Sequence, residues 1–149
     1  MKNQDRHRVI PASYAIFRQG NKILLQRRKD TGYEDGNYGF VSGHVEAGEA
    51  YKNAIVREAK EEAGVRLRPE DLKFVHLMHR HQEDIYNERV DVFFLAERWE
   101  GELANMEPHK CDDLSWFDKD NLPENLIPYI REVLRYIDDG IMYSEFGWK

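Results

Sequence analysis

The sequence predicts an α/β protein in which a mixed β-sheet lies between helices. Segments rich in aliphatic and aromatic residues recur at strand length, two segments carry helical patterns, and the two kinds of segment are interleaved along the chain. No repeat, low-complexity tract or Pro/Ser-rich linker divides the 149 residues. We therefore expect residues 1–149 to form one domain.

Composition and charge exclude several classes of protein. Hydrophobic residues make up 41% of the chain, enough for a real core. The longest apolar run, residues 92–96, is far short of the roughly 20 residues that a membrane span needs, and no leader pattern opens the chain. A net charge of -6 disfavours polymeric nucleic acid as a partner. Cys111 is the only cysteine, so no intrachain disulfide forms and we expect a cytoplasmic protein.

The first elements follow from local patterns. Residues 9–17 and 23–26 have strand composition, and Gln19-Gly20-Asn21 between them is a turn signal, so a β-hairpin opens the chain. Residues 29–39 are rich in Gly, Asp and Asn, which predicts a mobile loop. A short apolar piece, residues 38–41, follows that loop.

Two helices are predicted, with strands between them. Residues 49–63 contain no Pro or Gly and are dominated by Ala, Lys, Arg and Glu, and Gly64 is placed to end this helix. Strands are expected at residues 74–81, 90–99 and 114–117. Apolar residues at three- and four-residue spacing over residues 126–137 predict an amphipathic closing helix.

Three glutamates of the first predicted helix form a cluster of carboxylates. At 100° per residue Glu58 and Glu62 share a narrow stripe with Ile55, and Glu61 lies one step to its side. Carboxylates at this spacing repel each other, and Mg²⁺ or Mn²⁺, which prefers oxygen ligands, would convert the repulsion into binding. The alternative is a solvated acidic helix face.

The residues around these glutamates resemble the Nudix hydrolase family. The family pattern is Gly-x5-Glu-x7-Arg-Glu-U-x-Glu-Glu-x-Gly-U, where U is apolar. Its fixed positions are matched by Gly43, Glu49, Arg57, Glu58, Glu61, Glu62 and Gly64, and its apolar positions by Ala59 and Val65. The hairpin, the later strands and the closing helix also resemble the Nudix domain, which implies an α/β/α sandwich.

The resemblance implies hydrolysis of a diphosphate linkage in a substituted nucleoside diphosphate, with Mg²⁺ or Mn²⁺ as cofactor. Glu58, Glu61 and Glu62 would be metal ligands, and which glutamate activates the water is left open. A backbone carbonyl at Ser42 or Gly43 would assist them, although many relatives carry Gly where this chain has Ser42.

Glu49 and Arg57 have a supporting role in the same resemblance. They would form the ion pair that ties the loop before the helix to the helix itself.

A narrower likeness concerns the substrate. Residues 97–102, followed by Glu107, resemble the corresponding stretch of MutT-type enzymes, which cleave nucleoside triphosphates to the monophosphate and pyrophosphate. The likeness makes Glu107 a candidate metal ligand or base. Glu88 holds a matching place in related oxidised-purine triphosphatases and competes for the role, while either side chain is also compatible with simple solvation.

Candidate substrate contacts come from outside the motif. Arg27 and Arg28 belong to a compact basic run before the predicted loop, which suits a phosphate contact. Asn125 lies near a MutT-like position and would either hydrogen-bond a purine edge or cap the closing helix. His79 and His81 share one face of a strand but have no suitably spaced third ligand, so a zinc site is not expected.

The leading hypothesis is a MutT-like enzyme that acts on a nucleoside triphosphate, with an oxidised purine such as 8-oxo-dGTP among the candidates. The main rival substrates are a nucleotide sugar or a dinucleoside polyphosphate. A hypothesis of another class is a nucleotide-sensing Nudix module without catalysis. We expect a small nucleotide as the partner, no polymeric nucleic acid and no membrane, and a homodimer is left open.

Overall fold

A computed structural model describes residues 6–82 and 88–149. Its helices are α1 (Tyr51–Ala63) and α2 (Pro128–Asp138), and a 3-10 turn lies at Pro69–Asp71. Its strands are β1 (Ile10–Gln19), β2 (Lys22–Arg28), β3 (Tyr38–Gly39), β4 (Val41–His44), β5 (Leu72–His81), β6 (Glu88–Ala96), β7 (Cys111–Asp118) and β8 (Tyr143–Phe146). None of the helices in the described part of the chain is long and apolar enough to cross a membrane.

The described strands form one mixed sheet. Its order is β3-β2-β1-β6-β5-β8, while β4 pairs with β1 and β7 pairs with β2. The β1–β6 and β5–β8 pairs are parallel and the other pairs are antiparallel. Parallel pairing needs crossover connections, and the chain between β1 and β6 contains α1 while the chain between β5 and β8 contains α2.

Each face of the sheet is covered by one helix. Along β1 the side chains alternate, as the two-residue period of a strand requires. Tyr14 and Ile16 join the apolar cluster that contains the buried side of α2. Ala15 and Phe17 join the cluster that contains the buried side of α1. The sheet lies between the two helices, so the predicted α/β/α sandwich is confirmed.

Most local predictions are confirmed, with shifted boundaries. The opening hairpin is present, but only Arg18 and Gln19 of β1 pair with β2, because residues 12–15 of β1 pair with β4. Helix α1 begins at Tyr51 rather than at residue 49, and its N-cap is Ala50. Strand β6 ends at Ala96, earlier than the predicted residue 99.

The segment between β2 and β3 is a loop, as predicted, but hydrogen bonds hold it in place. The Asp35 carboxylate accepts hydrogen bonds from the backbone N–H groups of Thr31 and Gly32, at 3.0 and 2.9 Å. Arg28 donates from Nε to the Tyr33 carbonyl at 2.6 Å. The loop itself is therefore confirmed, and its mobility stays a prediction.

Candidate active site

The glutamates of α1 lie beside its buried face. Ala54, Ile55, Ala59 and Ala63 are buried against the sheet. Glu58, which keeps 16% of its side-chain surface exposed, and Glu62 flank this apolar stripe, whereas Glu61 is 53% exposed. The three carboxylates therefore stand at the boundary between core and solvent.

Glu62 has the most unusual environment of the three. Its Oε1 accepts a hydrogen bond of 2.6 Å from Nε2 of Gln26, a residue of β2. Burial raises the pKa of Glu62 well above its usual value, and the hydrogen-bonded carboxyl of Glu58 raises it further. A carboxylate at this position is therefore costly unless a positive charge compensates it.

The side chain of Glu58 packs directly against Gly43. A Cβ built on Gly43 would overlap the Cδ, Oε1 and Cγ atoms of Glu58, so the carboxyl group lies directly on the β4 main chain. Gly43 does not have a left-handed φ. A glycine is therefore required here for space rather than for backbone conformation.

Glu49 and Arg57 form the expected ion pair, and it is bidentate. Arg57 Nε lies 2.9 Å from Glu49 Oε2 and its Nη2 lies 3.0 Å from Oε1. The guanidinium holds the pKa of Glu49 at about 2, with help from the backbone N–H of Glu46. Arg57 also donates to Glu58 at 2.8 Å and to the His44 carbonyl at 3.2 Å, so one side chain joins the loop, β4 and α1.

Charged side chains from several elements line a cleft of about 260 Å³. Its walls include Gln26, Arg27, Arg28, Ser42, Glu58, Glu61, Glu62, Glu107 and Lys110. The segment after β6 brings Glu107 here because it binds the end of α1: the Met106 N–H donates to the Glu62 carbonyl and the Ala104 N–H to the Ala63 carbonyl, at 3.1 and 3.0 Å.

Glu88, the competitor of Glu107, does not line this cleft. Its two carboxylate oxygens are bound by imidazoles, with His79 Nε2 at 2.6 Å and His7 Nε2 at 2.8 Å. These two histidines lower the pKa of Glu88. The geometry therefore favours Glu107 over Glu88 as the additional carboxylate of the site.

The predicted substrate contacts have different surroundings. Arg27 and Arg28 both line the cleft, although Arg27 pairs with Asp112 at 2.6 Å and Arg28 binds the loop after β2. Asn125 is exposed and donates to the Gly36 carbonyl at 2.7 Å. The alternative that it caps the closing helix is wrong, because the N-cap of α2 is Ile127.

The donor set fits a hard divalent cation. Carboxylate oxygens are the ligands that Mg²⁺ and Mn²⁺ prefer, and the side chains of Glu58, Glu61 and Glu62 line one cleft. Within residues 6–82 and 88–149, no three His, Cys, Asp or Glu side chains stand together as a ready metal site. The Glu58 carboxylate accepts a hydrogen bond from Arg57, and the Glu62 carboxylate accepts one from Gln26. A cation bound by these two carboxylates would need a third ligand, such as Glu61 or the Ser42 carbonyl.

Sequence patterns missed Gln26 as a member of the site. It is the last residue of the buried run 23–26 on β2, and a polar residue directly after the apolar residues 23–25 is the one signal that could have singled it out. Its contact with Glu62 depends on β2 lying below the end of α1, which no local pattern predicts.

Comparison with known proteins gives the family. The model of the NUDIX domain matches residues 7–137. This match covers most of the chain, so the protein belongs to the Nudix family.

The chain is similar to curated relatives and to solved structures of that family. Proteins named NAD-capped RNA hydrolase NudC from Stutzerimonas stutzeri and Pseudomonas aeruginosa are 28% and 30% identical over 140 residues, which is 94% of this chain. The chain spans about half the length of these relatives, 47% and 46% respectively.

Solved structures agree on the fold. A MutT NUDIX hydrolase from Burkholderia pseudomallei matches with a TM-score of 0.79 at 27% identity, over 87% of this chain and 98% of that one. The MutT protein from Methanosarcina mazei Go1 matches with a TM-score of 0.75 at 20% identity, over 88% and 94%. The second likeness shows the fold alone.

Proposed function

We propose that this chain hydrolyses a phosphoric anhydride bond of a small nucleotide, with Mg²⁺ or Mn²⁺ as cofactor. The observation that carries the proposal is the set of four carboxylates that line one cleft, with Glu58 pressed against Gly43. The four residues are Glu58, Glu61, Glu62 and Glu107. A sensing module would need no such costly arrangement of carboxylates. The first substrate class we propose is a nucleoside triphosphate, cleaved to the monophosphate and pyrophosphate.

In this proposal the glutamates of α1 are the ligands of the cation. Glu58, Glu61 and Glu62 would hold the cation, together with a main-chain carbonyl at Ser42 or Gly43. A bound cation supplies charge neutralisation of the phosphates and a more acidic water.

The remaining charged residues act around that centre. In this proposal Glu107, which lines the cleft, accepts a proton from the attacking water. The ion pair of Glu49 and Arg57 fixes the loop and the helix relative to each other. Arg27 and Arg28 line the same cleft and are available to phosphate oxygens.

A second substrate class is supported by the names of the curated relatives. They are NAD-capped RNA hydrolases, and their match covers 94% of this chain. The corresponding proposal is cleavage of the diphosphate of a nicotinamide dinucleotide, free or attached to RNA. The net charge of -6 speaks against tight binding of the RNA body, so the dinucleotide itself is the better candidate.

Product analysis tests both classes. The purified chain is incubated with Mg²⁺ or Mn²⁺ and nucleoside triphosphates, 8-oxo-dGTP, NAD, nucleotide sugars and dinucleoside polyphosphates, and products are separated by ion-exchange chromatography. Monophosphate plus pyrophosphate from one triphosphate supports the first class, and mononucleotides from NAD support the second. Chelation with EDTA must abolish either activity. Absence of turnover from every compound would overturn the proposal.

A further inference from the structure

A second and larger cavity lies next to the candidate active site. Its volume is about 1120 Å³, and it is formed where the end of β5, the start of α2 and the C-terminal segment meet. Its walls include Tyr33, Arg80, Gln82, Tyr129, Phe146 and Trp148. A cavity of this size holds a ligand of several rings rather than a single ion.

The cavity is connected to the carboxylates. Tyr33 and Tyr129 also line a cleft of about 370 Å³ whose other walls include Gly43 and Glu58. A substrate whose phosphates lie at Glu58 therefore has a path along these two tyrosines into the larger cavity.

The C-terminal segment, residues 143–149, is folded so as to build one wall of this cavity. Strand β8 pairs in parallel with β5, with Arg80 opposite Phe146. Gly147 has φ +85° and lies so close to the His81 carbonyl that a Cβ would overlap it. The chain turns at this glycine, and the turn brings Trp148 against β5.

Trp148 is fixed although it is 45% exposed. Its indole N–H donates to the His79 carbonyl at 2.9 Å. The indole also packs on the imidazoles of His79 and His81, with ring centroids 4.6 and 4.9 Å away. An exposed aromatic ring that is already held in place loses little conformational entropy when a ligand stacks on it.

Polar groups on the cavity wall are equally well held. Arg80, 1% exposed, pairs with Asp91 at 2.7 Å and lies 3.8 Å from the centre of the Tyr129 ring. Gln82 Nε2 and Arg80 Nη1 donate to the Tyr33 hydroxyl at 2.5 and 3.1 Å. Fixed aromatic rings and amide or guanidinium donors are the groups that recognise a planar heterocycle by its face and its edge.

We propose that residues 143–149 complete a subsite for the nucleobase of the substrate, in which Trp148 stacks on the base. The inference rests on the proposed function, since it assigns the part of the substrate beyond the phosphates. The match to the NUDIX domain ends at residue 137, so residues 143–149 lie outside the matched region.

The test uses the native chain of residues 1–149 and probes that have no anhydride bond to cleave. The chain is labelled with ¹⁵N and titrated with AMP, GMP, UMP or nicotinamide mononucleotide, while the indole N–H resonances of its tryptophans are followed by NMR. Trp148→Phe identifies the Trp148 resonance. Trp99 and Trp116 stack on each other in the cluster on the α1 face and serve as internal references.

We expect the Trp148 resonance to move and saturate with one probe while the two reference resonances stay in place. Ribose 5-phosphate, which has no base, should leave Trp148 unmoved. Trp148→Ala should weaken binding of the preferred probe by about tenfold, whereas Trp148→Phe, which keeps an aromatic ring, should weaken it by less than about threefold. Unchanged reference resonances show that each variant is folded.

The outcomes separate the two proposals. An unmoved Trp148 resonance with every probe, or unchanged affinity in Trp148→Ala, overturns the subsite even if the chain cleaves nucleotides. A moving Trp148 resonance in a chain that cleaves no nucleotide supports the subsite and overturns the proposed activity.

Discussion

The main chain of Gly43 lies against the carboxyl group of Glu58, with no room for a Cβ between them. This contact joins β4 to α1 at the point where Arg57 also binds the His44 carbonyl and Glu58. Two parts of the motif that are 15 residues apart in sequence therefore form one structural unit. The position of the Glu58 carboxylate depends on the size of the residue at position 43.

Gly43→Ala is expected to displace this carboxylate without unfolding the chain. The added methyl group meets the flexible end of Glu58, and the backbone conformation accepts alanine, so the unfolding free energy should change by about 1 kcal/mol or less. Turnover should fall by at least about tenfold, because a misplaced ligand is costly. Ser42→Ala is the matched control, since the proposed contribution of Ser42 comes from its main chain. Equal turnover in the two variants would contradict this account.

Glu62→Gln is expected to stabilise the chain in the presence of a chelator. The folded-state pKa of Glu62 is raised by burial, so its ionised form opposes folding at pH 7, and stability is gained as pH falls toward that raised pKa. Glutamine resembles the neutral form and can still accept the Gln26 hydrogen bond. The melting temperature of the variant should exceed that of the native chain at pH 7, and the difference should shrink as pH is lowered.

The same variant should lose activity. Turnover with Mg²⁺ should fall at least about tenfold, because a ligand charge is lost while the side-chain volume is kept. Together the two measurements distinguish a metal ligand, whose charge is costly without the cation, from an ordinary surface carboxylate. Lower stability at pH 7 or full turnover would each refute the role assigned to Glu62.

The sequence predicts those parts of the fold that depend on local patterns. The two helices, the opening hairpin and the strands around them follow from periodicity and turn residues. Strand β8 was not predicted, because it is four residues long, lies at the sheet edge and depends on pairing with β5, more than sixty residues earlier. The start of α1 was also misplaced, since the Glu49 carboxylate binds Arg57 ahead of the first helical turn.

In the candidate site, too, the features set by local sequence patterns were predictable and those set by tertiary packing were not. Glu58, Glu61 and Glu62 could be grouped from helical spacing, because one helix holds them all. Gln26 reaches Glu62 only through tertiary packing. The choice between Glu107 and Glu88 could not be made from sequence, since it depends on where two separate segments of the chain lie relative to α1.

The two competing glutamates are separated by single substitutions. Glu107→Gln should reduce turnover more strongly than Glu88→Gln, because Glu107 lines the carboxylate cleft and Glu88 is bound by His79 and His7. We expect a loss of about tenfold or more for Glu107 and less than about twofold for Glu88. Steady-state rates at saturating Mg²⁺ provide the comparison. A larger loss in Glu88→Gln would reverse the assignment.

The Glu49–Arg57 ion pair should make stability depend on acid pH. The pKa of Glu49 is lowered from 4.5 to about 2 in the folded chain, so its contribution is present above pH 4.5 and is lost as pH falls toward 2. Glu49→Gln should lower the melting temperature at pH 7, and the difference from the native chain should disappear toward pH 2. Glu46→Gln is the control, because Glu46 is 69% exposed and lies 3.8 Å from Arg57. A pH-independent difference would show that Glu49 acts through packing alone.

The buried pair of Arg80 and Asp91 should be the most sensitive polar contact of the core. Asp91 is fully buried, and besides Arg80 its carboxylate accepts a hydrogen bond from the Tyr14 hydroxyl at 3.0 Å. Arg80→Met leaves a buried charge without its cation, which should lower the unfolding free energy by about 3–5 kcal/mol.

Urea denaturation of the single and double variants tests whether this cost comes from the unpaired charge. Adding Asp91→Leu to Arg80→Met removes that charge and should restore at least half of the lost stability, because two apolar side chains can replace a buried ion pair. Similar slopes of unfolding free energy against urea must accompany the comparison, so that the midpoints report stability. A double variant as unstable as Arg80→Met would show that the loss came from packing around Tyr129, over whose ring the guanidinium lies.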